Sequence, residues 1–424
     1  MSFLNQSYTC FHAVHQLQMK LEQAGFIQLY EENQWSIDAG GKYYVIKNGS
    51  SIIAFQIPKE TDQFTCAIIA SHSDSPCYKL KPNMTLQDMR NHYTRLNTEP
   101  YGGMLHYTWL DRPLGVAGRI FTEEDDSISE QLVELDQTLV IPSVAIHMNR
   151  SSEFSPNPQV DLLPIFAESA TTFEETLSLC AKGKTILSHD LFLYNKEEAC
   201  LGGANQEYIL SGRLDDLECA YLSIDALVNA TPSSIAIAAI FNNEEVGSRS
   251  SNGADSSFLM DVLTRIAQAL SLDFYALMAQ SFMISADNAH AVHPNHPEKS
   301  DTSNAVYMNK GIVIKHQAGL SYTTDGYSEA IFKKLCQMAQ VPYQDYTNRS
   351  DVRGGSTLGA IAQSHLSIPS VDVGLAQLAM HSCYETAGTQ DVIYMKRVFQ
   401  QFYETSIQKE KSKAIFKLST KITQ

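Results

Sequence analysis

Ile235-Ala-Ile-Ala-Ala-Ile-Phe241-Asn-Asn-Glu244-Glu245-Val-Gly247 carries an uninterrupted apolar run straight into two adjacent carboxylates. A short apolar run rich in isoleucine and lacking polar alternation is what a strand buried on both faces needs, and such strands belong to sheets covered by helices. Neighbouring carboxylates at the end of a buried strand repel each other and lose hydration, so a counter-cation is the simplest way to make them tolerable.

Outward from this run the pattern alternates. Helical spacing over 217–228 precedes it; a helix over 258–270, strands over 282–286 and 312–315, a helix over 328–340, a strand over 370–373 and a helix over 393–407 follow. The alternation predicts α/β layering around a largely parallel or mixed sheet. Toward the N-terminus, Leu4, Tyr8, Phe11, Val14, Leu17, Leu21 and Ala24 predict one amphipathic helix stopping at Gly25. Strands are expected over 43–46, 51–57 and 64–70, the first two joined at Asn48-Gly49. Between Tyr78 and about Leu201 the texture changes to short strand-like pieces with an acidic run and scattered prolines, as a separate β-rich insertion would have.

The chain has 424 residues, of which 44% are hydrophobic and 18% charged. That excludes a disordered chain and a small disulfide scaffold. Lys+Arg 31 against Asp+Glu 47 gives −16, which repels polyphosphate and argues against nucleic acid or an anionic membrane as partner. The eight cysteines are scattered, with no Cys-x-x-Cys pair. The first twenty residues lack the apolar core of a signal peptide, and no apolar run approaches the ~20 residues of a membrane helix. A cytoplasmic protein is expected.

Five places put His, Asp or Glu just beyond a strand or at a helix mouth, where open α/β sheets form their sites. They are His72 with Asp74, Arg213 to Asp216, Glu244-Glu245, Asp287 with His290, His293 and His296, and His381. Each alone has an ordinary explanation, as a solvated face, a helix cap or a structural histidine. Together, two histidines and several carboxylates match the mixed ligand set of zinc, and the number of carboxylates suggests two ions sharing one of them. Cobalt or manganese could take zinc's place in such a set. There is no His-Glu-x-x-His, no Gly-x-Ser-x-Gly and no Walker loop, since Arg353-Gly354-Gly355-Ser356-Thr357 lacks the lysine.

At these residues the sequence resembles the aspartyl aminopeptidase family, cytosolic binuclear zinc exopeptidases. The likeness runs through Ser71 to Pro76, Tyr107 to Arg119, Arg213 to Asp216, Asn243 to Ser248, Ser285 to Asn295, Gly311 to Lys315, Gly355 to Gly359 and Met380 to Ser382. It implies a zinc exopeptidase-like catalytic domain made of 1–77 and 202–424, with a central mixed sheet flanked by helices, interrupted at 78–201 by a β-rich dimerisation domain. It implies that Asp215 bridges two zinc ions, that His72 and Asp287 complete one site and Glu245 and His381 the other, and that Glu244 is the general base. Asp74 would hold the His72 imidazole in its ligating tautomer. His290, His293, Lys315 and Met380 match substrate-pocket positions. His147 matches a histidine reaching a neighbouring subunit's site in a large homo-oligomer, typically a tetrahedral dodecamer.

The expected reaction is removal of N-terminal Asp or Glu from peptides with a free N-terminus. Lys315 is the cation suited to an acidic side chain, or else a member of a structural ion pair. The alternatives are a neutral-residue aminopeptidase, a binuclear deacylase or carboxypeptidase, and a non-catalytic oligomeric scaffold. Two departures from the family bear on substrate preference: Cys383-Tyr384 before Glu385 replaces a basic or aliphatic pair, and Arg353-Gly354-Gly355 stands where Pro-Cys-Gly is common.

Overall fold

In the computed structural model the Ile235–Phe241 strand is buried at every residue and stands fourth in a nine-stranded mixed sheet. The structure describes residues 1–418 apart from 62, 152, 169, 170 and 353, so the expectation at Arg353 lies outside the described residues. From one edge the order is Ile27–Gln28, Lys42–Lys47, Ser51–Gln56, Ile235–Phe241, Cys66–His72, Phe282–Ala286, Ser370–Gly374, Ile312–His316 and Tyr343–Thr347. The four central strands run parallel, with Phe241 beside His72, Ser285 beside Ala70 and Ala286 beside Val373. Asn48 and Gly49 both take positive φ (50° and 63°), which lets the hairpin between Lys42–Lys47 and Ser51–Gln56 turn with the sheet's own twist.

Side chains of the central strand divide between two cores at a period of two. Ala236, Ala238 and Ile240 enter one core, closed by Leu17 and Leu21 of the Cys10–Gln23 helix, Leu222 of Leu214–Asn229, Phe332 of Gly326–Ala339 and Phe402 of Thr389–Tyr403. Ile235, Ile237, Ala239 and Phe241 enter the other, against Phe258, Val262 and Ile266 of the Phe258–Ala269 helix and Leu358 of Leu358–Leu366. Each fully buried large aliphatic or aromatic side chain contributes about 1.5–3 kcal/mol. With both faces covered, the carboxyl edge of the parallel strands is where polar side chains can gather.

A second sheet of six antiparallel strands, drawn from Cys77 to Asn195, has its own core around Tyr78, Leu96, Trp109, Val116 and Leu193, packed under the Phe173–Cys180 helix. A third, five-stranded sheet was not expected from the sequence. Its strands, Cys200–Gly202, Tyr208–Ser211, Glu385–Gly388, Ala376–Leu378 and Ala289–His290, are two to four residues long, and two local hairpins among them are joined across large sequence separations.

The N-terminal helix is broken. Ser2–Gln6 and Cys10–Gln23 are separate because Thr9 is extended (φ −139°, ψ 171°), its hydroxyl 3.0 Å from His12 Nδ1. At the other end the helix closes at Tyr403, and Thr405–Glu410 pairs with Lys413–Leu418 as a hairpin. Ile407 is buried in the same core from a strand, so its apolar character fits either period. Among the described residues no helix is long and apolar enough to cross a membrane.

Candidate metal centre

His72 is the last residue of its strand, Asp287 follows Ala286 directly, and Glu244–Val246 forms a single turn that starts three residues beyond Phe241. All three strands end at the same sheet edge. Asp215 arrives from the first turn of the Leu214–Asn229 helix, where Arg213 has φ 61°, Asp215 and Asp216 depart from helical geometry and the peptide between them is cis. His381 comes from the link between Ala376–Leu378 and Glu385–Gly388. Thus the unexpected third sheet carries one of the candidate ligands.

Asp215 offers one carboxylate oxygen to each histidine. Its Oδ1 lies 3.5 Å from His72 Nε2 and its Oδ2 3.5 Å from His381 Nε2. Asp287 Oδ1 is 4.0 Å from His72 Nε2, and Glu245 Oε2 is 3.5 Å from His381 Nε2. The five side chains named from the resemblance therefore form two groups that meet at Asp215. Glu244 lines the same cleft.

The cluster is over-supplied with negative charge. Burial raises the Glu244 carboxyl to about 8, with His72 opposing and Asp287, Asp74 and Asp215 adding to the rise. Burial also pushes Glu245, Asp216 and Asp287 upward. Asp215 is the exception: burial would raise it, but the His381 and His72 imidazoles beside its two oxygens hold it well below the usual carboxylate range. Asp215 Oδ1, Asp216 Oδ1 and Glu245 Oε1 are buried and make no hydrogen bond. Orphaned carboxylate oxygens converging with two imidazoles fit divalent cations, and the N/O donor set suits zinc.

Asp74 meets the His72 imidazole through its main chain rather than its carboxylate. His72 Nδ1 lies 3.0 Å from the Asp74 backbone carbonyl, and 3.6 Å from the Asp74 carboxylate. The carboxylate accepts instead from the backbone N–H groups of Glu244 and Glu245, both at 3.2 Å, and from Tyr101 Oη at 2.7 Å. Asp74 thus fixes the tautomer through its main chain and the Glu244–Glu245 turn through its side chain. Asn243 Nδ2 completes the chain by donating to Tyr101 Oη at 2.9 Å.

Glu385 was missed as a site residue. Its buried carboxylate accepts from the His381 N–H at 2.7 Å and the Asp215 N–H at 3.1 Å, joining the two ligand candidates brought in from outside the main sheet. Burial, then Asp215, raises it to about 8. Asp216, the last residue of the Arg213 to Asp216 stretch, accepts the His72 N–H on its Oδ2 at 3.2 Å. Only their adjacency to ligands in sequence hinted at either role.

Of the substrate-pocket candidates, His290, Lys315 and Met380 line the cleft, an open space of about 630 Å³ also bounded by Tyr322 and Tyr346. His293 lines an adjoining hollow that shares His290, Tyr346 and Gly355 with it. His147 does not reach the cleft of its own chain and sits exposed in a turn of the insertion. Lys315 is buried, its Nζ donating to the carbonyls of Asp287 at 2.8 Å and Asn288 at 3.2 Å, with Asp287 Oδ2 at 3.7 Å. It holds the Asp287 loop while also bounding the cleft. The departure at Cys383-Tyr384 lies off the cleft: Cys383 Sγ donates to Thr108 O at 2.7 Å and Tyr384 Oη to Glu198 O at 2.9 Å.

Residues 3–403 match the family described as aminopeptidase I zinc metalloprotease (M18). The chain is 42% identical over 419 residues to "Probable M18 family aminopeptidase 2" of Clostridium acetobutylicum, covering 95% of this chain and 96% of that one. Its identity to the protein of the same name from Ectopseudomonas mendocina is 38%, with 96% and 97% covered. Among solved structures, a chain of the cryo-EM structure of the Ape4 and Nbr1 complex superposes with a TM-score of 0.91 at 35% identity, covering 95% of this chain and 84% of that one. The S. cerevisiae mApe1 dodecamer superposes at 0.81 with 25% identity, covering 95% and 94%.

Proposed function

Since the chain belongs to the M18 family of zinc aminopeptidases, we propose that it removes N-terminal Asp or Glu from peptides, using two zinc ions that share Asp215. One ion would be held by His72 and Asp287, the other by Glu245 and His381. The observation that carries the reading is the geometry of Asp215, whose two oxygens each face one histidine at 3.5 Å. When bound, the ions supply Lewis acidity, polarising the first peptide carbonyl and lowering the pKa of water at the site. Glu244 takes the proton of the attacking water and returns it to the leaving amine, a role suited to a carboxyl held near neutral pH by burial. Asp74 keeps Glu244 and Glu245 in register by binding both backbone amides.

Lys315 turns an ammonium toward the Asp287 side of the cleft, and a side-chain carboxylate placed there meets a charge already desolvated. The insertion, residues 78–201, is read as the dimerisation domain of a large homo-oligomer, in which His147 reaches the neighbouring cleft. The dodecameric yeast relative and the exposure of His147 in its own chain support this. The eight free cysteines suit a cytoplasmic setting.

The test is hydrolysis of aminoacyl chromogenic amides, acidic, neutral and basic, by zinc-loaded protein with and without a chelator. Chelator-sensitive release from Asp and Glu is expected. Release mainly from Leu or Met would discard the acidic pocket, and release from N-acetylated substrates alone would point to a deacylase.

A further inference from the structure

A larger hollow, about 1020 Å³, lies on the other side of the groups that support the metal centre. Asp74, Asn243 and Glu385 are on its wall, whereas the candidate ligands His72, Asp215, Glu245 and Asp287 line the cleft. The two spaces are separated by the layer that holds the catalytic edge in place. Nothing in the proposed reaction uses this rear chamber.

Its charged lining is matched except at one residue. Lys79 and Arg119 both pair with Asp190, at 2.8 and 3.0 Å. The Asp74 carboxylate is engaged by Tyr101 and two backbone amides, and both oxygens of Glu385 accept from backbone amides. Arg213 has no carboxylate partner among the described residues. Its Nη2 donates to the Leu4 carbonyl at 3.2 Å, while its buried Nε makes no hydrogen bond. Burial works against its charge. Arg213 is half-buried, and a guanidinium partly removed from water is ordinarily paired, because desolvation without compensation is unfavourable. The rest of the wall is strongly aromatic, with Tyr8, Phe11, Tyr101, Trp109, Phe192 and Tyr194.

We propose that this chamber is a ligand site for a small monocarboxylic acid with an aromatic or branched apolar body, its carboxylate seated on Arg213. The planar guanidinium matches a carboxylate two-pronged, and the rings cover the apolar part. A cationic ligand would find no unengaged carboxylate here. Inorganic phosphate would bring more charge than one arginine balances and no body for the aromatic wall. Because Asp74 and Tyr101 belong both to this wall and to the support of the Glu244–Glu245 turn, occupancy is expected to change turnover without competing with the peptide. The site stands independently of which N-terminal residue the enzyme prefers.

The experiment is calorimetric titration of the full-length zinc-loaded protein, its metal cleft saturated with an amino-acid hydroxamate, using 3-phenylpropionate and its neutral amide. Hydroxamate saturation removes carboxylate binding at the metals from the readout. One acid per chain is expected, bound at least about tenfold more tightly than the amide, the worth of a charge-assisted hydrogen bond. Arg213→Gln should remove that difference. Cys77→Phe, which fills the chamber from another wall, should abolish binding with zinc content and folding unchanged. Equal binding of acid and amide, no binding at millimolar acid, or unaltered binding to Cys77→Phe would overturn the site. If Arg213→Gln does not fold, the acid–amide pair and Cys77→Phe still decide.

Discussion

In the nine-stranded sheet the Ile235–Phe241 strand buries every side chain; in the six-stranded sheet the Ser127–Glu134 strand buries Val133 and leaves Ile128 67% exposed. The insertion goes further between its strands, where Val144, Ile146, Met148 and Phe154 are all exposed around His147. The first sheet is closed on both faces by helices, so its chemistry is confined to the carboxyl edge. The second keeps apolar side chains accessible, as a surface meant for another chain would. One sheet gathers polar side chains at its edge; the other leaves apolar side chains exposed.

The largest effect that would break this division lies at the edge of the closed sheet. Glu244→Gln is expected to cut kcat by about 10²–10⁴-fold with two metals still bound, measured by steady-state kinetics beside metal analysis. Metal loss in that variant would show Glu244 to be a ligand rather than the base. Within the closed core, Phe258→Ala should cost about 3–5 kcal/mol in denaturant unfolding, because the helix that carries it cannot collapse onto the sheet. A shift under 1 kcal/mol would mean that this face is not the sealed core its burial indicates.

His12 sharpens the comparison through pH. On the helix covering one face of the closed sheet it is buried, and burial, then His15 and Arg213, lowers its pKa to about 4. The unfolded imidazole protonates near its ordinary value, so the unfolded state binds the proton first as pH falls. Its contribution is intact above about 6.5 and declines toward pH 4 by up to about 3 kcal/mol. His12→Gln should flatten that part of the stability profile; an unchanged slope would assign it to other groups.

Glu385→Gln is expected to weaken metal binding by about 10–100-fold in a chelator competition, since it loosens the His381 and Asp215 backbones together. Wild-type affinity would show His381 and Asp215 to be held by their own segments without Glu385. The smallest effect belongs to the open sheet: Ile128→Ala should change the stability of the isolated chain by less than about 0.5 kcal/mol. A larger loss would mean that Ile128 packs in a way its exposure denies.

How much of this was readable differs between the same two regions. The strands over 235–241 and 282–286 were legible to the residue, because burial on both faces keeps charged residues out of them and turns bound the run. Of the five ligand candidates named from the resemblance, Glu245 and Asp287 stand just beyond those runs, whereas Asp215 comes from a helix and His381 from a link between two short strands. The break before Cys10 was not legible, since the helical apolar spacing from Leu4 to Ala24 continues across it while Thr9 turns extended. The third sheet was hidden for a related reason: its strands are too short for periodicity, and backbone pairing between distant segments leaves no side-chain pattern.

Local sequence, then, determines which segments must be buried, and with them the chemical inventory at the strand ends: two imidazoles, several carboxylates and a lysine. Tertiary structure decided which atom of each residue does the work. Asp74 serves His72 with its carbonyl and the Glu244–Glu245 turn with its carboxylate. Glu385 ties its neighbour His381 to Asp215, 170 residues before Glu385, and Arg213 is left facing a chamber whose carboxylates are engaged by other groups. Residue type and hydrophobic period are written along the chain, but hydrogen-bond direction and charge pairing depend on distances of a few ångströms between segments that meet only when the sheets pack.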